Sequence, residues 1–137
     1  MNAFSQPAGR QSLAAARLRK HADFLRAYAV SGRRKSASMS WFLAPQSADL
    51  ADGPRVGLTV GKVLGKAHER NRIKRRMREA LRRHVDALPQ GCDLILHPRR
   101  SVLTMEFAKL ETEIVRILEQ ARAEAARATA PKRQSAS

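Results

Sequence analysis

Nine side chains able to hold a phosphate oxygen fall within seventeen consecutive positions: Lys62, Lys66, Arg70, Asn71, Arg72, Lys74, Arg75, Arg76 and Arg78. An arginine fork donates two parallel hydrogen bonds to a phosphate and a lysine ammonium acts as a point charge, so the chemistry on offer is anion recognition. Backbone N–H groups at a helix start add donors aimed at the same anion. Asn71 both donates and accepts, which suits it to cap a helix or to read a sugar or base edge. An ordinary solvated helix face mixes both signs, yet Glu69 and Glu79 are the only acids between Lys62 and Arg83. The repulsion is left uncompensated without a ligand.

Hydrolytic chemistry is not visible in the same way. Metal-assisted cleavage needs clustered carboxylates, and general-base cleavage needs a positioned histidine. Asp23, Asp49, Asp52, Glu69, Glu79, Asp86 and Asp93 are scattered, and His21, His68, His84 and His97 form no recognisable pair. His68 and Glu69 adjoin, but neighbours on a helix do not face each other. His84, on an apolar helix face, suits a satisfied core position. No catalytic residue is assigned to the chain, and none of its residues is assigned to a metal.

The basic block needs a helix to display it. Ile73, Met77, Ala80, Leu81, His84 and Leu88 recur at spacings of three and four, which predicts an amphipathic helix over residues 67–88. Arg72, Arg75, Arg76, Arg78, Arg82 and Arg83 then project around its other side. Before it, residues 21–30 predict a first helix closed by Gly32 as a left-handed cap, and Gly32 to Lys35 reads as a charged turn. Residues 39–44 and 55–60 read as strands joined by a polar loop compatible with an antiparallel hairpin. After Pro89 and Gly91, residues 92–97 predict a further strand. Phe107, Leu110, Ile114, Ile117, Leu118 and Ala121 mark a long terminal helix that frays beyond about Glu124. The expected class is α+β: a sandwich of one sheet layered on helices, with one sheet face open.

Length and charge bound the function. The 137 residues suffice for one domain, with residues 1–16 as a mobile basic arm, 17–122 as a single RNA-binding domain and 123–137 as a frayed basic tail. Against 27 Lys and Arg stand 12 Asp and Glu, a net charge of +15, so a polyanion is the expected partner. A membrane surface ranks well below nucleic acid, because no basic amphipathic helix carries flanking interfacial aromatics. No run approaches the roughly 20 apolar residues of a membrane helix. Cys92 is the single cysteine, which excludes an intrachain disulfide and fits a reducing cytoplasm. Residues 1–22, basic, Ser-containing and without acid, also read as an organelle transit peptide would.

The stretch from Arg55 to His84, RVGLTVGKVLGKAHERNRIKRRMREALRRH, closely resembles the signature region of the bacterial ribonuclease P protein family. Its centre is Arg70-Asn71-Arg72-Ile73-Lys74-Arg75. Arg17-Leu18-Arg19-Lys20, Asp23-Phe24, Tyr28 and Gly32 precede it in the family's order, and Arg78-Glu79-Ala80, the strand from Asp93 and the final helix follow. The resemblance spans residues 17–122. The chain departs from it before the block, with Gly61-Lys62-Val63 in place of Ser-Lys-Lys and Ala67-His68 in place of Ala-Val. The carry-over for that loop rests on Lys62 and Lys66.

The resemblance implies an αβββαβα order, a mixed sheet of about four strands, and a left-handed crossover that periodicity alone would not suggest. It implies a protein that binds a catalytic RNA and the 5′ leader of precursor tRNA, one protein per RNA, with hydrolysis by the RNA using Mg2+ and no organic cofactor. Lys62, Lys66, Arg70, Asn71, Arg72, Lys74, Arg75 and Arg78 take the RNA contact. Lys20, Phe24, Tyr28 and Trp41 take the leader cleft between first helix and sheet. Phe24 and Tyr28, four apart, share a helix face and suit stacking on unpaired bases, although Phe24 suits core packing equally. Trp41 and Phe42 point to opposite sheet faces, so only one of them lines the cleft. A stand-alone structural RNA binder, such as a ribosomal protein, shares the size and basicity; the block in its context distinguishes the two.

Overall fold

The computed structural model describes residues 12–46 and 53–129. Along the chain run α1 (His21–Val30), β1 (Arg34–Lys35), β2 (Met39–Pro45), β3 (Arg55–Leu58), α2 (Ala67–Arg82), β4 (Cys92–Pro98) and α3 (Phe107–Thr129), with short 3-10 turns before α2, after it and before α3. This is the expected α+β order. No helix among the described residues is long and apolar enough to cross a membrane.

The four strands lie in the order β1-β2-β4-β3, with β2 antiparallel to β4 and β3 parallel to it. The hairpin expected between β2 and β3 is therefore not formed: β4 inserts between them. Leu94, Ile95 and Leu96 explain why, since all three are fully buried and a strand apolar on both faces belongs at a sheet's centre. The hairpin present is β1–β2, with Arg34 opposite Trp41 and Lys35 opposite Ser40. Its first strand is two charged residues at the sheet edge, where charge discourages further pairing; the same charges read locally as a turn.

Alternation along the strands divides the core in two. Met39, Trp41, Val56, Leu94 and Leu96 face α2 and α3, meeting Ile73, Met77, Ala80 and Leu81 from the first and Leu110, Ile114, Ile117 and Leu118 from the second. Phe42, Ala44 and Ile95 face the other way and pack on Leu18 and on Ala27 of α1, with Phe24 and Tyr28 partly buried beside them. The second face is thus occupied in part by α1 rather than open.

Several boundaries differ from the sequence reading. Residues 12–16 are folded rather than an arm: Ala16 is fully buried, and the N–H groups of Leu18 and Val56 bond to Val56 O and Ala16 O at 2.8 Å each, extending the β3 edge. Residues 1–11 lie outside the described residues. α3 runs on to Thr129 instead of fraying past Arg122, because Ala121 and Ala125, one turn apart, are both buried and Arg34 clasps Glu124 at 2.6 Å. The remainder of the expected tail, residues 130–137, is likewise outside. α2 stops at Arg82 rather than Leu88; the apolar positions Val85 and Leu88 stay buried, but on a 3-10 turn that precedes Pro89. α1 ends on Ser31 in extended conformation, its hydroxyl donating to Ala27 O at 2.6 Å, and Gly32 is not left-handed.

Candidate nucleic-acid interface

The loop before α2 sets the direction of the basic helix. Gly65 has φ +135°, and a Cβ there would lie 2.4 Å from both Arg100 Nη1 and Glu69 Oε1, so this turn requires glycine. Lys66 caps α2, and its N–H donates to the Glu69 carboxylate at 2.9 Å. Asn71 therefore lies inside the helix and is not its cap. It is exposed, which leaves the sugar- or base-reading alternative.

Lys62, Lys66, Asn71, Arg72 and Arg75 are exposed and Arg70, Lys74 and Arg78 half-buried, all on or just before α2. The structure brings the predicted block together. Arg70 is steadied by Gly65 O at 3.1 Å and Arg72 by Leu103 O at 3.3 Å. Arg76 has another role: it donates to Val102 O at 2.9 Å and to Met105 O, tying α2 to the segment that leads into α3.

Both acids of the region are consumed by cations outside the block's centre. Glu69 is held by Arg100 at 2.7 Å; that hydrogen bond, then the Lys66 N–H, bring its carboxyl down to about 2. Glu79 takes Arg82 at 2.6 Å and Arg83 at 3.3 Å, and its carboxyl is lowered, chiefly by the Arg82 hydrogen bond. Lys62, Lys66, Arg70, Arg72, Lys74, Arg75 and Arg78 thus keep their charge unmatched by these acids.

The reverse face of the sheet carries a second set of groups. The Tyr28 hydroxyl shares hydrogen bonds with His97 Nε2 at 2.8 Å and Thr59 Oγ1 at 3.1 Å. Phe42 stands edge-on to Tyr28 with centroids 5.0 Å apart, and the Arg33 guanidinium sits 5.4 Å from the Phe42 ring centre. Burial first, and Arg33 second, lower the His97 pKa, so its ring stays neutral near pH 7. Trp41 does not belong to this cleft: it is 1% exposed, faces α2 and α3, and carries Arg34 over its ring at 5.6 Å. The cross-strand pairing of Phe42 with Ile95 puts Phe42 on the α1 side instead. Phe24 is half-buried against Leu18 and Gly57, and Lys20 stands exposed at the start of α1.

Sequence reasoning missed Arg100, which secures the loop by bonding Leu64 O at 2.7 Å as well as Glu69, and it missed Arg33 and His97 of the cleft. Their partners are distant in sequence, and only the fold reveals them. His84, expected in a satisfied core position, is half-buried and pairs with Glu111 at 2.8 Å. Among the described residues no three of His, Cys, Asp and Glu gather as a metal site.

A four-stranded mixed sheet and a helix whose cations largely lack acidic partners define a small basic α+β domain of the kind that binds RNA. The model of the family described as "Ribonuclease P" matches residues 14–122. The ribonuclease P protein component of Chloroflexus aggregans is 38% identical over 106 residues, spanning 77% of this chain and 76% of that one. That of Thermotoga maritima is 34% identical over 100 residues, spanning 73% and 82%. Among solved structures, the Staphylococcus aureus RNase P protein superposes with TM-score 0.66 at 26% identity, covering 78% of this chain and 95% of that one. The Thermotoga maritima RNase P protein gives 0.65 at 26%, covering 76% and 96%. The chain belongs to the ribonuclease P protein family, whose members are the protein part of an endoribonuclease that matures the 5′ ends of tRNA. A ribosomal-protein role is not favoured.

Proposed function

We propose that α2 and its preceding loop lie against the catalytic RNA of ribonuclease P, while the α1 side of the sheet holds the single-stranded leader of precursor tRNA. The observation that carries the first half is the disposal of charge on α2: both local acids are occupied, and seven cations face outward or into a groove without them. Phosphates relieve that repulsion and release counterions. For the second half, half-buried Tyr28 offers aromatic surface on top of the buried Phe42, whose ring carries Arg33, with Lys20 at the head of α1, a combination suited to unpaired nucleotides irrespective of base.

Hydrolysis belongs, on this reading, to the RNA with its Mg2+ ions. Three of the described carboxylates are engaged structurally: Asp93 by Arg55, Glu111 by His84, and Glu113 by Ser36 and Ser38. One protein per RNA, in the cytoplasm, completes the proposal. The test is a precursor-processing assay with the catalytic RNA, with and without this protein, at low and high magnesium. Stimulation is expected, most at low magnesium. Cleavage by the polypeptide alone, or no effect at any magnesium concentration, would overturn it.

A further inference from the structure

Strand alternation sends Asp93, Ile95 and His97 of β4 to the α1 side of the sheet, with Phe42 of β2 opposite Ile95 and Ser40 opposite His97. An apolar centre is thus bracketed by two polar residues, and each of them reaches α1. Asp93 does so through Arg55, which bonds Asp23 in the first turn of the helix. His97 does so directly: its Nε2 lies 2.8 Å from the Tyr28 hydroxyl, which is also 3.1 Å from Thr59 Oγ1. The first link ends on a carboxylate. The second ends on the half-buried aromatic ring assigned above to the leader.

A hydroxyl at the rim of a cleft is satisfied equally well by water, so two protein partners for Tyr28 add little stability by themselves. What they add is a fixed ring. A tyrosine turns on two side-chain torsions, and settling both before a base arrives removes that ordering cost from binding. Packing supplies part of the restraint: Phe42 meets the ring edge-on with centroids 5.0 Å apart, and Phe24 lies at 6.4 Å, tilted by 52°. The hydroxyl end is held instead by hydrogen bonds from two different places on the sheet. His97 comes from β4, and Thr59 follows β3, its own N–H bonded to Leu96 O at 3.0 Å. The network is self-consistent in either imidazole tautomer, because the phenol and the alcohol each donate and accept and Thr59 takes whichever role His97 leaves.

Burial, then the Arg33 charge, hold the His97 ring below the ordinary 6.5, so near pH 7 it enters this network as a neutral group. We infer that His97, together with Thr59, is a positioning residue of the leader site, holding the Tyr28 ring in the orientation on which a leader nucleotide stacks. The inference rests on the leader reading proposed above and adds a residue that acts through Tyr28 rather than on the RNA. His97 differs in this from Arg33, whose guanidinium lies over the Phe42 ring and is free to meet a phosphate.

Tyr28 is the chain's single tyrosine, so 3-fluorotyrosine built into the full chain gives one fluorine magnetic-resonance signal, from the ring in question. That signal is expected to shift as His97 titrates, with a midpoint below 6.5, and to lose the shift in His97→Gln. A signal that ignores the titration overturns the link. The functional arm is the ratio of affinities for precursor and mature tRNA, measured with the catalytic RNA bound. Tyr28→Phe keeps the ring and drops the hydroxyl, and His97→Leu removes the other end of the bond; each is expected to lower the ratio about threefold to tenfold, the worth of one hydrogen bond. The double variant should lose no more than either single one, since both break the same link. His97→Gln, whose amide reaches as far as Nε2, should restore most of the ratio. If His97→Leu fails to fold in urea titration, Tyr28→Phe carries the test from the opposite end. Losses that add in the double variant, or an equal loss in His97→Gln, overturn the positioning role. So does a ratio unchanged in Tyr28→Phe and His97→Leu but lowered in Tyr28→Ala, which leaves the leader site itself standing. A ratio unchanged even in Tyr28→Ala overturns the leader reading and this inference together.

Discussion

Asp93 lies wholly buried on β4 and accepts both Nε and Nη2 of Arg55 at 2.9 Å, while Arg55 Nη1 reaches Asp23 of α1 at 3.3 Å. That chain of charges fixes α1 over the sheet, and removing its centre leaves a largely buried guanidinium short of its main partner. Asp93→Asn should destabilise by about 3 kcal/mol, read from urea unfolding. Tyr28→Ala belongs to a different class. It should leave assembly with the catalytic RNA intact and cut the preference for precursor over mature tRNA by about 1–3 kcal/mol; equal losses for both would remove Tyr28 from the leader site. Glu69 gives a pH signature. Its folded pKa lies below the ordinary 4.5, at about 2, so its contribution is present above 4.5 and is lost as pH falls towards 2. Glu69→Gln should therefore flatten the acid limb of the unfolding curve in that window.

Helices and strands whose apolar spacing is regular were legible before any coordinates: α1, β2, the start of α2, β4 and the start of α3 lie where the pattern puts them. β1 was not, because two charged residues carry no periodicity and owe their strand state to Trp41 and Ser40 opposite. Nor was the choice between Trp41 and Phe42, since which face of β2 meets α1 depends on register with β4, some fifty residues away. Of the candidate site, the basic block could be read because its residues are contiguous, whereas Arg33, His97 and Arg100 join through the fold. For α2 as an element, replacing Arg70 and Arg72 together should weaken catalytic-RNA binding and reduce the slope of log K against log salt by roughly 0.9 or less per lost phosphate contact. An unchanged slope would separate these side chains from the RNA. Gly57→Ala should loosen α1 instead, since its Cβ would stand 2.6 Å from the Phe24 ring; a loss of about 1–3 kcal/mol is expected.

Across the whole molecule the charge of +15 sets two opposed salt dependences. Added salt screens the protein's own repulsion and should raise its unfolding midpoint, while the same salt weakens its hold on RNA. The sheet order has a further consequence for how such a chain comes into being. The strand at the centre, Cys92–Pro98, is the last of the four to be made, and β2 and β3 have no common neighbour before it arrives. During synthesis, at roughly 5–20 residues per second, the segments made before it must wait several seconds with unpaired strand edges and a strongly basic α2 segment. A fragment halted before Cys92 should remain without cooperative structure, and the growing polypeptide would be exposed to premature capture by any nearby polyanion until that late insertion closes it.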